Sequence, residues 1–199
     1  MDMVFLEELN NTQNSFVQNE SYVESRVLSK TCENIIGIEN NSSQVSFDKN
    51  SDKNNKDILI QQYKTEILSV IREDVFEDAI ETKSECYIRE NYNDYTYEYI
   101  KPALMELYLD NLSNAHILTG LLMMIGTVSY DRIAPEGQVM AMGLLQNMHI
   151  PIRDKAIQAF ERWNSKKGIS VLSSLKCDRK WLQRYVDKVI MYIEKDGID

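Results

Sequence analysis

Glu73, Glu77 and Glu81 fall at i, i+4 and i+8, with Asp74 and Asp78 beside them. On a helix such a row of carboxylates could hold a hard cation through oxygen ligands. A cation site needs ligands from a second element as well, and a solvated acidic face accounts for the same spacing. The two histidines, His116 and His149, lie on different predicted elements, and the chain has neither CxxC nor HExxH, so nothing has zinc-ligand spacing. Cys32, Cys86 and Cys177 are odd in number and widely spaced, which argues for free thiols in a reducing compartment. Lys166-Lys167-Gly168-Ile169-Ser170 lacks the upstream glycine of a phosphate-binding loop, and no Gly-x-Ser-x-Gly elbow is present. The expectation is therefore no catalytic residue, no metal and no cofactor.

Asp78 with Glu81-Thr82-Lys83 has the acidic–x–Lys pattern of some nuclease sites. That chemistry needs strands to present the acids, and this region reads as helix. Binding is the better use of the same stretch. Six of the eleven tyrosines fall at 87, 92, 95, 97, 99 and 108, interleaved with Glu90, Asp94 and Glu98. On one helix Tyr92, Tyr95 and Tyr99 would share a side. Tyrosine offers contact area with a polar tip, and neighbouring carboxylates would steer a basic partner. Tyr92, Asp94, Tyr95, Glu98, Tyr99, Glu77 and Asp78 are the candidate partner-binding residues. The same tyrosines could instead pack the preceding helix onto the following ones. A second candidate set, for nucleic acid, is Lys166, Lys167, Arg179, Lys180 and Arg184 near the end of the chain. Trp163 and Trp181 could stack on bases there, but both fall on predicted buried stripes.

Charge orders these alternatives. The 199 residues carry 22 Lys+Arg against 31 Asp+Glu, net −9, with a pI near 4.8. Residues 58–112 hold 12 acids and 5 bases, whereas residues 113–199 hold 9 acids and 12 bases. An acidic front thus precedes a mildly basic rear. A surplus of three over the rear is small for tracking phosphates, so nucleic acid is not the expected partner, though the rear leaves room for it. No apolar run is long enough to cross a membrane and no basic–apolar leader opens the chain, so a cytoplasmic location is expected.

Three kinds of segment must position these residues. Residues 1–55 hold 10 Asn and 8 Ser with short apolar islands, a composition too polar to order itself unaided, and are read as a leader that is flexible or docks. Residues 56–100 form acidic and tyrosine-rich helices. Ile60, Tyr63, Ile67, Val70 and Ile71 share one face of the first, and Pro102 is placed in the first turn of a later helix. Beyond that a spacing of about thirty residues recurs. Val139, Met142 and Leu145 return as Ile169, Leu172 and Leu175, and thirty places earlier read Leu109, Leu112 and Ala115. Ile152, Ala156, Ala159, Phe160 and Trp163 return as Leu182, Val186, Val189, Ile190 and Ile193. Paired helices are predicted over 103–112 and 117–130, 138–147 and 152–163, and 168–175 and 180–194. Asn114 and Asp178 are the expected caps, with Pro135 and Pro151 in first turns and Gly197 at an end.

The stretch from Ile152 to Trp163 resembles the second helix of a HEAT-like repeat of the short variety named from phycobilisome lyases. Gly168 to Leu172 resembles the start of the next repeat, and Trp181 to Glu194 a terminal helix. The resemblance spans about 103–195 and implies an all-α fold, a short α-solenoid of about three helical hairpins with the preceding helices as a cap. Repeat signatures are packing residues and specify little activity. The expected function is a non-enzymatic protein-interaction module whose partner is basic, in the manner of an antitoxin or immunity protein. The alternatives are a HEAT-like protein that binds or modifies nucleic acid through its basic C-terminal face, and an accessory subunit of a larger complex. The Asn-, Lys- and Ile-rich usage suggests an AT-rich bacterial source.

Overall fold

A computed structural model describes residues 49–76 and 80–199. The leader up to residue 48, and the candidates Glu77 and Asp78, lie outside the described residues. The described chain is all-α, with nine α-helices and one 3-10 turn. They are α1 (Lys49–Glu73), α2 (Lys83–Asn91), α3 (Tyr97–Asp110), α4 (Ala115–Thr127), α5 (Tyr130–Ile133), α6 (Glu136–Leu144), α7 (Ile150–Trp163), α8 (Ile169–Ser174) and α9 (Lys180–Asp196). The 3-10 turn, Lys166–Gly168, runs directly into α8.

The helices stack in two layers. In one, α1 lies beside α3 and α3 beside α6; in the other, α2 packs on α4, α4 on α7 and α7 on α9. Within successive pairs α3 meets α4, α6 meets α7 and α8 meets α9. The core between the layers is continuous, running from Ile67 and Ile71 through Leu104, Leu121 and Ile125 to Phe160, Val186 and Ile193. The most apolar helix, α4, is central to it, with every residue from Leu121 to Gly126 buried. Close approach is set locally by Gly120, where a Cβ would lie 2.5 Å from the Ile71 side chain.

The second-layer stripe is buried as its spacing predicts, except that Ile190 is only half-buried. Ile152, Ala156, Ala159, Phe160 and Trp163 on α7 are all buried, as are Leu182, Val186, Val189 and Ile193 on α9. Trp163 donates its indole N–H to the Ile125 carbonyl at 2.9 Å, and its ring meets Phe160 and Tyr130 edge-on. Asn114 caps α4 by accepting from Ile117 N, and Pro151 sits in the first turn of α7.

Several expectations are corrected. Pro102 lies inside α3, not in a first turn, because the helix starts earlier. Its start is set by a polar turn: Asn93 Oδ1 accepts from Tyr95 N, while Thr96 Oγ1 accepts from Asn93 N and donates to the Asn91 carbonyl. Asp178 does not cap α9; Arg179 holds that position without a side-chain bond, and Asp178 pairs with Arg153 instead. Trp181 is exposed, not buried. The first-layer stripe fails as a buried one at Leu109, Leu112, Val139 and Met142, all exposed, whereas Leu145, Leu172 and Leu175 are buried. The reading of 73–81 as one helix also fails, because α1 stops at Glu73.

Candidate functional site

The junction after α1 is built from buried acids. Asp74 accepts from Lys83 N at 2.8 Å and Ser84 N at 3.1 Å, so it satisfies free N–H groups at the start of α2. Thr82 and Glu85 form a capping box there. Glu85 accepts from Thr82 N at 2.9 Å and also receives the Arg162 guanidinium from α7. Glu73 and Glu81, two members of the proposed carboxylate row, pair with Lys83 and Arg89 respectively. Among the described residues no three or more His, Cys, Asp or Glu are grouped to hold a metal ion. His116 sits 2.7 Å from the Ile71 carbonyl with Phe76 against its ring, and His149 is exposed at the start of α7.

The tyrosine–acid candidates do not share one helix, because the Asn93–Thr96 turn separates α2 from α3. Tyr92 is buried, and its hydroxyl donates to the Arg132 carbonyl at 2.6 Å while the Arg132 guanidinium lies over its ring. Burial pushes the Tyr92 phenol up to about 12. Tyr99 stacks near Tyr63 of α1, with ring centroids 6.4 Å apart. Tyr95 is 88 % exposed at the turn. Asp94 pairs with Arg132 at 2.6 Å and Glu98 with Lys56 at 3.3 Å. Tyr92, Asp94, Tyr97, Lys101, Asp131 and Arg132 line a cleft of about 270 Å³. Its charges are matched within the chain: Lys101 meets Glu136 and Asp131 meets Lys167. Within the candidate set, Tyr92 and Tyr99 therefore help hold the helices together, while Tyr95 faces outward.

The basic candidates divide into two groups. Lys166 pairs with Asp199 at 3.0 Å and Lys167 with Asp131 at 2.7 Å, both near the turn between α7 and α8. Arg179, Lys180 and Arg184 lie at the start of α9, and of these three only Arg179 pairs with an acid among the described residues, Asp178 at 3.8 Å.

Two surfaces carry exposed apolar residues, the first of them made of residues whose spacing reads as core and the second beside the basic candidates Lys180 and Arg184. The first lies on α3 and α6, which run parallel: Lys101 meets Glu136 near their starts, and the Tyr108 hydroxyl lies against Gly143 near their ends. Leu109 and Leu112, at the end of α3 and just beyond it, and Val139 and Met142 on α6 are 58, 54, 47 and 42 % exposed. By helical phase Met105 extends the α3 row and Pro135 the α6 row. The clue is a second apolar row on α3, Met105-Leu109-Leu112, out of phase with its buried Ile100-Ala103-Leu104-Leu107. The second surface is the outward side of α9, which carries Trp181, Met191 and Tyr192.

Compared with protein-family models, curated proteins and solved structures, the chain matches none.

Proposed function

We propose that this chain is a non-enzymatic protein-interaction module, and that its partner is a basic protein docking on the outward side of α3 and α6. One observation carries this reading: four large apolar side chains, Leu109, Leu112, Val139 and Met142, lie exposed on two adjacent helices and the turn after the first of them. Scattered exposed apolar residues are ordinary, but several large ones on two helices packed side by side favour a surface that another molecule covers. Its surroundings select the partner's charge. Glu98, Glu106 and Asp110 of α3 pair with Lys56 or Lys64 of α1 yet keep part of each carboxylate in water. The segment around them, 58–112, is net −7 (12 acids, 5 bases), which favours encounter with a cationic surface. Exposed Tyr95 lies in the turn just before α3.

The successive helix pairs support reading 103–195 as short HEAT-like repeats with α1 and α2 as their cap. A cytoplasmic protein that masks a basic partner, as antitoxins and immunity proteins do, suits this acidic surface.

The test is capture from extracts of the source cell with the full chain and with a Leu109→Glu, Met142→Glu variant. A basic protein should be retained by the parent and lost by the variant. Equal recovery by both would remove the strip from the interface and the reading with it.

A further inference from the structure

The last helix carries a second unpartnered face with the opposite charge. On α9 the buried row is Leu182, Val186, Val189 and Ile193. The opposite side, by helical phase, holds Lys180, Arg184, Lys188, Met191 and Lys195, with Trp181 and Tyr192 on one flank and the acids Asp187 and Glu194 on the other. Trp181, Met191 and Tyr192 are 47, 64 and 46 % exposed. Lys180, Arg184 and Lys188 engage no side-chain partner among the described residues. The acids Asp187 and Glu194 edge this face on the side away from Trp181 and Tyr192, and four cations outnumber them. Asp187 accepts from Gln183 at 3.0 Å, and Asp196 lies beside Lys195 at 3.8 Å. Tyr185, on the flank toward α7, donates to Glu161 at 2.5 Å, so the outward face is not the one used for packing.

We propose that this face binds an acidic amphipathic helix of a partner protein. Charge complementarity assigns carboxylates to Lys180, Arg184 and Lys188, and the apolar side of the incoming helix to Trp181, Met191 and Tyr192. The spacing fits a helical ligand. Trp181 and Tyr192 are separated by about 16 Å along the axis at 1.5 Å per residue, about three turns, and apolar anchors on a docked helix recur at that pitch. A nucleic acid strand uses the face less well. Three unpaired cations neutralise few phosphates, and Met191, the most exposed of the apolar residues, offers neither charge nor stacking. This proposal stands on α9 alone and does not depend on what covers α3 and α6. If both hold, the chain joins two partners of opposite charge.

The probe is a fluorescein-labelled peptide about five helical turns long, with leucines on one face and glutamates elsewhere, titrated into the full-length chain and followed by anisotropy. A scrambled peptide of equal composition and an oligo-dT of similar length are run beside it. The amphipathic peptide should bind saturably and the scrambled one markedly more weakly. Arg184→Glu with Lys188→Glu should weaken binding about tenfold or more, as should Trp181→Ala. These side chains are exposed, so helical circular dichroism should be unchanged; if the charge-reversal variant does not fold, Trp181→Ala and Met191→Glu separately carry the same expectation. Equal affinity for the scrambled peptide, or indifference to the variants, overturns the proposal. So does tighter, steeply salt-dependent binding of oligo-dT, which would assign the face to nucleic acid.

Discussion

Arg162 of α7 donates to the buried carboxylate of Glu85 on α2, across 77 positions of sequence. The same carboxylate closes the α2 capping box, so one side chain both starts a helix and fastens it to α7 within its own layer. Removing either partner leaves a charge in a site that is mostly out of water, which costs more than losing an exposed pair.

Glu85→Ala is accordingly expected to lower unfolding free energy by about 2–4 kcal/mol, combining the lost cap with the stranded guanidinium. Arg162→Ala should cost somewhat less, since the Glu85 carboxylate it leaves keeps its capping-box hydrogen bond from Thr82 N. The double variant should cost less than the sum. Urea denaturation of the four proteins measures this directly, and additivity would show that the pair is not coupled.

Alkaline stability should depend on Tyr92. Its phenol is held up to about 12 chiefly by burial, against the lowering effect of Arg132. A raised folded value means the stabilisation is complete below the ordinary value of 10 and is lost as pH rises from there toward 12. Burial also raises Tyr87 and Tyr185, each assisted by a glutamate that accepts from its hydroxyl. Tyr92→Phe should cost about 1 kcal/mol at neutral pH through the unpaired Arg132 carbonyl, while flattening the decline above pH 10. Thermal midpoints across that range check both parts.

On the acid side the relevant group is Asp178. Its hydrogen bond from Arg153 holds the carboxyl below the ordinary 3.8. The stabilisation is present above that value and is lost as pH falls through the lowered one. Asp178→Asn should therefore reduce the sensitivity of the melting temperature to acid below about pH 4, and Arg153→Ala should return the Asp178 titration, followed by NMR, toward its ordinary position.

Two glycines should behave differently. At Gly120 a Cβ would meet Ile71 between α4 and α1 at 2.5 Å, within packed core, so Gly120→Ala should destabilise by about 1–3 kcal/mol. At exposed Gly143 the obstacle is the tip of Tyr108 at 2.6 Å. A flexible end can move, and alanine gains about 1 kcal/mol of helix propensity, so Gly143→Ala should be neutral or stabilising. Chemical denaturation distinguishes the two outcomes.

The second layer was legible in the sequence because its stripes are amphipathic in the simplest way: Ile152 to Trp163 and Leu182 to Ile193 each have one apolar face. Asn114 and Pro151 carry their boundaries in their own chemistry. The first layer was less legible because α3 has two apolar faces, and spacing alone does not say which is buried. Leu109 reads as inward by its place in the thirty-residue recurrence, whereas Leu104 holds the buried position. The start of α3 was hidden in the Asn93–Thr96 turn, whose side-chain bonds outweigh the usual preference for proline in a first turn. Trp181 reads as core by its place on a predicted stripe, yet its neighbour Leu182 holds the buried position. The Glu85–Arg162 link was out of reach, since only the folded arrangement brings α2 to α7.

The end of the chain turns back on itself. Asn164 leaves α7 with φ 44°, its carbonyl accepts from Ile198 N at 2.8 Å, and Lys166 N donates to the Ile198 carbonyl at 2.9 Å. This short parallel clasp ties the residues after α9 to the turn that precedes α8. Its consequence is mechanical. Tension applied at the last residue reaches the turn between α7 and α8 first, pulling on two main-chain bonds before α9 can be peeled from its last turn to its first. A tether placed there would load the final helical pair as a unit, whereas a cut before Gly197 would let α9 fray from its free end.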